Sequence, residues 1–238
     1  MGFERTLRRD ADATMTDFRS MLAMTPWAAT LSEALYARVV AETVVTVCPA
    51  GTLVCRKGHP VTHWIGVVDG LVKMTNVSND GKPTTFVGIP TGGWFGEGSL
   101  LKDEPRRYDI VALRDSDIAY VPRATFMTLL DDSVAFNRFL LVQLNERLGQ
   151  FIGMVEHDRL LGPDARLARS LAGMFNPHLY PGIGPTLPIS QEELGLLAGL
   201  SRQRVNQALK RLERDGLLRV DYGSVTVLSV EGLRAFDG

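Results

Sequence analysis

Residues 190–216 read SQEELGLLAGLSRQRVNQALKRLERDG. Ser190 precedes Glu192 and Glu193, the order of a helix cap followed by acids in the first turn, where the helix dipole favours negative charge. Leu194, Leu197 and Ala198 give this helix an apolar face, Gly199 supplies a sharp turn, and Ser201 is placed to cap a second helix. Along that second helix Val205, Ala208, Leu209 and Leu212 share one face, which leaves Arg202, Gln203, Asn206, Gln207 and Lys210 on the other. Two short helices joined by a Gly-containing turn make a helix-turn-helix.

The outward residue types suit DNA. Arg can bridge guanine O6 and N7, while Gln and Asn can pair bidentately with adenine. Lys210, Arg211 and Arg214 are expected near phosphates. Between Ser201 and Arg219 the net charge is +4, in a chain whose formal net charge is −1. The expected DNA-contacting set is therefore Ser190, Ser201, Arg202, Gln203, Asn206, Gln207 and Lys210. The segment LLRVDYGSVTVLSV that follows reads as a hairpin turning at Tyr222-Gly223-Ser224, the wing of a winged helix. A helix-turn-helix also serves protein contacts, so a ligand-binding module that docks a protein through it is the rival reading.

Towards the N-terminus, NPHLYPGIGPTLP (Asn176–Pro188) reads as a connection, and Pro163 after Gly162 as the start of another helix. Before it, Leu140, Leu144, Leu148, Phe151, Ile152 and Val155 form one stripe of a helix of roughly 25 residues, ~37 Å long. That stripe either packs on its own chain or forms a dimer seam. From Thr43 to about Pro122 the texture is short runs rich in Val, Thr and Ile cut by Gly, Pro and Asn-Asp, which indicates a sandwich or barrel. Within it SNDGK (Ser78–Lys82) is a hairpin signal, since Asp-Gly tolerates the positive φ of tight turns. Two short helices interrupted at Pro26 are expected between Thr16 and Glu42, with the first ~15 residues frayed.

Composition restricts the function classes. The chain is 238 residues, 45% hydrophobic and 22% charged, enough for a packed core. Cys48 and Cys55 form no CxxC and have no histidines at metal-ligand spacing, so no metal is expected, and buried packing or a redox role remains for them. His59 and His63 lie in the β-region, where structural roles outnumber axial haem ligation. No run approaches the ~20 apolar residues of a membrane span, and the N-terminus lacks a secretory pattern, so a cytoplasmic location without membrane contact is expected. There is no nucleophile–base set, and GIGPTLP lacks the Lys of a phosphate-binding loop, so no enzyme is expected.

From about residue 30 to the C-terminus these parts together resemble the Crp/Fnr family of bacterial transcription regulators. GWFGEGSLLKDEPRRYDIVAL (Gly93–Leu113) resembles the family's phosphate-binding cassette, and SRQRVNQALKRLERDGLL its recognition helix. The resemblance implies an α+β fold in three parts: an N-terminal double-stranded β-helix (jelly-roll) sensor domain over 16–132, a dimerisation helix over 133–160, and a winged helix-turn-helix over 161–238. It also implies a homodimer on a palindromic operator of double-stranded DNA, controlled by a small effector and acting with RNA polymerase. The implied effector-binding residues are Gly96, Glu97, Gly98, Ser99, Arg107, Tyr108, Phe151 and Ile152. Glu97 would accept from a ribose 2′-OH, and Arg107 would pair with a cyclic phosphate. Read without the resemblance, Glu97 and Arg107 pair with each other, and Trp64, Trp94 and Tyr108 either stack on a base or fill the roll.

Two departures from the family pattern bear on the effector. Tyr108 stands where cyclic-AMP-binding members carry a small hydroxyl residue, and Phe151 and Ile152 stand where they carry Thr and Ser. An adenine edge facing Phe151 and Ile152 would leave polar groups unpaired at about 1–3 kcal/mol each. Beside cyclic AMP, this brings in cyclic GMP, cyclic di-GMP, or a regulator that needs no effector.

Overall fold

The computed structural model describes residues 11–78 and 80–238. The N-terminal expectation for Met1–Asp10 lies outside them, whereas Ala11–Met15 are helical rather than frayed. Helix α1 (Ala11–Met24), a 3₁₀ turn (Ala28–Thr30) and α2 (Glu33–Glu42) come first, divided at Thr25–Trp27 and at the Ser32 cap. Phe18, Met21, Leu22, Trp27 and Val39 are buried, and Leu31 and Leu35 between the last two are half-buried.

Eight strands then build the roll: β1 (Val44–Cys48), β2 (Leu53–Cys55), β3 (His63–Asp69), β4 (Leu71–Val77), β5 (Pro83–Pro90), β6 (Trp94–Phe95), β7 (Asp109–Ala112) and β8 (Ser116–Pro122), with α3 (Glu97–Lys102) between β6 and β7. They form two four-stranded sheets, ordered β1-β8-β3-β6 and β2-β7-β4-β5, with every pair antiparallel. Ile65, Val67, Phe95 and Ile118 from one sheet meet Val72, Met74, Ile89 and Ile110 from the other in a single apolar core. The hairpin at Ser78–Lys82 is present, with Val77 opposite Pro83 and Gly81 at φ +81°.

Helices α4 (Arg123–Asp132) and α5 (Val134–Leu160) follow. At 27 residues α5 is about 40 Å long. Its expected single stripe is split between two faces. Leu140 is buried with Phe136 and Phe151 leans on the roll core, while Leu148, Ile152 and Val155 are exposed with Leu141. The reason is angular: Phe136, Leu140, Gln143 and Arg147 lie about 130° around the helix from Leu141, Leu148 and Ile152.

The C-terminal part comprises α6 (Pro163–Gly173), β9 (Thr186–Leu187), α7 (Gln191–Ala198), α8 (Arg202–Arg214), β10 (Leu218–Asp221), β11 (Ser224–Val227) and α9 (Val230–Ala235). Leu167, Leu171, Leu194, Val205, Leu209, Leu212, Val225 and Leu233 form its core. β9 joins β10 and β11 in a three-stranded sheet, so the Asn176–Pro188 segment contributes structure as well as a connection. α9 was not anticipated, although Ser229 caps it by accepting from the Gly232 N–H, with Glu231 in its first turn. This part is docked on the roll. Leu71 of β4 enters its core, and Lys73 Nζ donates to both carboxylate oxygens of Glu193 at 3.0 Å.

Candidate nucleic-acid interface and effector pocket

The local sequence builds α7 and α8 as it promised. Ser190 accepts from the Glu193 N–H and Ser201 from the Arg204 N–H, satisfying donors that a helix start leaves free. Gly199 takes the left-handed conformation, φ +62°, that lets α7 stop and the chain turn. Val205, Ala208, Leu209 and Leu212 are buried, while Arg202, Gln203, Gln207, Lys210 and Arg214 face solvent.

Several polar side chains of α8 are engaged within the protein, among them Arg204, Arg211 and Asn206. Arg204 Nη2 lies 2.8 Å and Arg211 Nη1 3.3 Å from the buried carboxylate of Asp164 on α6, and Arg211 also covers the Phe236 ring at 5.6 Å. Arg211 therefore braces the domain instead of standing free for a phosphate. Asn206, expected outward, is half-buried and donates to Gln191 Oε1 at 3.3 Å, tying α8 to α7. The wing turns at Tyr222-Gly223, between paired Asp221 and Ser224, and leaves Tyr222 fully exposed.

In the roll, α3 starts at Gly96, whose φ of +97° suits glycine. Glu97 is only 5% exposed, and its Oε2 has no hydrogen-bond partner among the described residues. The arginine brought to this point is Arg106, not Arg107. Arg106 is 7% exposed, its Nη2 donates to the His63 carbonyl at 3.3 Å, and a Cβ on Gly96 would stand 3.1 Å from its Nη1. Arg107 points outward, its side chain 68% exposed, and its Nε and Nη2 each donate at 2.9 Å to Glu104. That pair, Arg107 first and Lys102 second, pulls the Glu104 carboxyl down to about 2. The backbone decides the choice: the Arg106 N–H donates to the His59 carbonyl and the Gly58 N–H to the Arg106 carbonyl. The chain then bends at Arg107 and Tyr108, and the Arg107 side chain is left outside on Glu104.

Of the remaining expected pocket residues, Tyr108 and Phe151 are half-buried against the roll core, and Gly98 and Ser99 lie in the first turn of α3. Burial, and after it the Glu97 charge, push the Tyr108 hydroxyl up to about 12. Ile152 is turned to solvent and does not join them. Trp64 and Trp94 are buried behind the roll, stacked on each other at 4.1 Å and packed on Trp27, so they fill the fold.

Arg147 of α5, which sequence reading passed over, is 8% exposed and donates from Nη2 to the Trp94 carbonyl at 3.0 Å and from Nη1 to the Tyr180 hydroxyl at 3.2 Å. Its signal was a charge on the same helix face as Phe136 and Leu140. A cavity of about 390 Å³ opens beside Arg106, walled also by Cys55, His59, His63 and Tyr120. Burial holds the Cys55 thiol up at about 11, so it is protonated at neutral pH. No group of three or more His, Cys, Asp or Glu among the described residues is arranged to hold a metal.

The cyclic nucleotide-binding domain family matches residues 29–133, and the Crp-like helix-turn-helix domain family residues 165–236. The cyclic AMP receptor protein of Thermus thermophilus is 30% identical over 161 residues, 68% of this chain and 73% of its own. The chain belongs to the Crp/Fnr family. Solved structures of Crp/Fnr-like regulators share the fold. FixK2 of Bradyrhizobium japonicum superposes with a TM-score of 0.68 at 18% identity, covering 82% of this chain and 98% of that one. The c-di-GMP responsive global regulator CLP of Xanthomonas campestris does so with 0.60 at 24% identity, covering 83% and 100%. This Crp/Fnr regulator thus pairs a cyclic nucleotide-binding roll with a DNA-binding helix-turn-helix. Among its described residues no helix is long and apolar enough to cross a membrane.

Proposed function

We propose that the regulator acts as a homodimer on a palindromic operator, and that a cyclic nucleotide held in each roll sets its affinity for DNA. The observation that carries this is the exposed row Arg202, Gln203, Gln207 and Lys210 on a helix whose other face is locked into its domain. Ser190 and Ser201 sit at the helix starts beside it, where phosphates are met.

The outer face of α5 supports the dimer. Val134, Leu141, Leu148 and Val155 recur every seven residues and are exposed, with Arg138, Asn145, Ile152 and Arg159 four residues after each. That is the spacing of a two-stranded coiled-coil seam, and a parallel pair would relate the two α8 helices by a twofold axis. Half-sites one turn of DNA apart, ~34 Å, then call for a palindrome. Contact with RNA polymerase belongs to the same reading.

In the roll, Arg106 takes the part of phosphate partner expected of Arg107, and Glu97 that of acceptor for a ribose hydroxyl. Tyr108 and Phe151 line the base side, with Ile152 on the seam. The Thermus relative is named for cyclic AMP and the Xanthomonas regulator responds to c-di-GMP, so these are the first ligands to titrate. The test is calorimetry with each, followed by fluorescence anisotropy on an operator selected from random DNA, with sedimentation to give the assembly. Micromolar binding that tightens operator binding by a dimer supports the reading. A nucleotide-independent dimer on DNA leaves an effector-free regulator, and binding insensitive to salt would point to a protein partner for the helix-turn-helix.

A further inference from the structure

We propose that the cleft between α5, α6, α7 and the outer strand β5 of the roll is a second ligand site, which takes a small aliphatic carboxylic acid. The cavity there measures about 840 Å³, the size of small-molecule sites, and among the described residues it shares none of its lining with the cavity beside Arg106. It therefore stands apart from the effector reading. On α5 it is walled by Glu146, Gln150, Gly153 and His157, about 150° around the helix from Leu141, Leu148 and Ile152, so a partner on that seam leaves it open.

The sequence keeps this space clear. Gly149 and Gly153 lie one turn apart inside α5, where glycine is a poor helix former, and neither takes a positive φ. A Cβ on Gly149 would meet nothing within 4 Å, and one on Gly153 only the His157 ring, 3.5 Å away at its nearest. Neither the backbone nor a neighbouring atom calls for glycine at these places, whereas an open cleft does. The roll end is closed, since a Cβ on Gly88 of β5 would stand 2.8 Å from Met174 Sδ.

The lining divides by chemistry. Phe86, Val87, Met154, Met174 and Leu197 make it apolar, while His157, Arg166 and Arg169 make it basic where α5 passes into α6. Four arginines stand against two acids, in a chain whose formal net charge is −1. Both acids are already engaged, Glu146 accepting from Asn176 Nδ2 at 2.8 Å and Asp158 from Arg166 Nη1 at 2.9 Å. Arg166 Nε, by contrast, is buried without a partner among the described residues, and so is the Oγ1 of Thr85, a residue 4% exposed. A buried N–H or O–H left unpaired is costly, and an acceptor bearing full charge satisfies it best. A carboxylate at Arg166, with its alkyl chain laid along Phe86 and Met154, answers both halves of the cleft.

The test is calorimetry of the full chain with decanoate, kept below the concentrations at which it forms micelles. One molecule per chain is expected to bind with a Kd of about 10–100 μM. Decanol, of the same length but uncharged, is expected to bind at least about tenfold more weakly. Gly153→Leu fills the cleft with a better helix former, so it is expected to unfold at the same or a higher temperature and to lose about tenfold or more in decanoate affinity. Leu148→Ala, on the open face of α5, is expected to keep that affinity within about threefold. None of these outcomes depends on whether a nucleotide binds the roll. No decanoate binding, equal binding of decanol, undiminished binding by Gly153→Leu, or a loss at Leu148→Ala as large as at Gly153→Leu overturns the proposal.

Discussion

Two stretches of this protein crowd arginines together, and they sort them by different means. In α8, Arg202 faces solvent while Arg204 and Arg211 close on Asp164. Before β7, Arg106 is buried and Arg107 is exposed on Glu104. In the helix, a residue's face follows from its number, because 3.6 residues make a turn wherever the helix sits. In the irregular stretch before β7 no period assigns one neighbour inward and the other outward. Here only the pairing of Arg106 with His59 and Gly58, about 48 residues earlier in sequence, sets the register.

The sharpest way to break this comparison is to truncate the neighbouring arginines one at a time. Arg106→Ala is expected to lower nucleotide affinity by about 100-fold and to cost about 2 kcal/mol of stability, as a buried charged hydrogen-bonding group is lost. Arg107→Ala is expected to leave nucleotide affinity within about threefold, as an exposed pair should. Calorimetry and denaturant unfolding read both, and the reverse order would put the register wrong.

Within α8 the contrast is smaller. Arg202→Ala should cost about 1–3 kcal/mol of operator binding and relax one base position, measured by anisotropy on single-base variants. Arg204→Ala should lower stability by about 1 kcal/mol and weaken all sequences alike, since it loosens the Asp164 clamp. Lys210→Ala is expected to leave base preference intact and to reduce the slope of log affinity against log salt by about 0.9. Least of all should change at the cysteines. With the Cys55 thiol at about 11, about one molecule in a thousand carries its thiolate at pH 8. Disulfide-reagent labelling of the folded protein is expected to run at least about 100-fold slower at this site than in denaturant, whereas rapid labelling would restore a redox role.

The parts legible in sequence were those whose period or cap chemistry is local. The inward row of α8, the Ser190 and Ser201 caps, the Gly199 turn and the Ser78–Lys82 hairpin all followed from residues within a few positions of one another. That Asn206 is half-buried was not legible, because its partner, Gln191, belongs to the preceding helix. The α5 stripe was read too broadly: a helix that serves two surfaces carries apolar residues on both, and spacing alone does not say which faces its own domain.

The sequence by itself determined a helix-turn-helix with a basic outer face, a β-rich roll before it and a long helix between, because period, capping and turn chemistry act over a few residues. Tertiary structure alone decided which arginine enters the roll, which face of α5 remains open, and that Arg147 meets both Trp94 and Tyr180. Those outcomes depend on backbone pairings and contacts between segments dozens of residues apart, which no local pattern encodes.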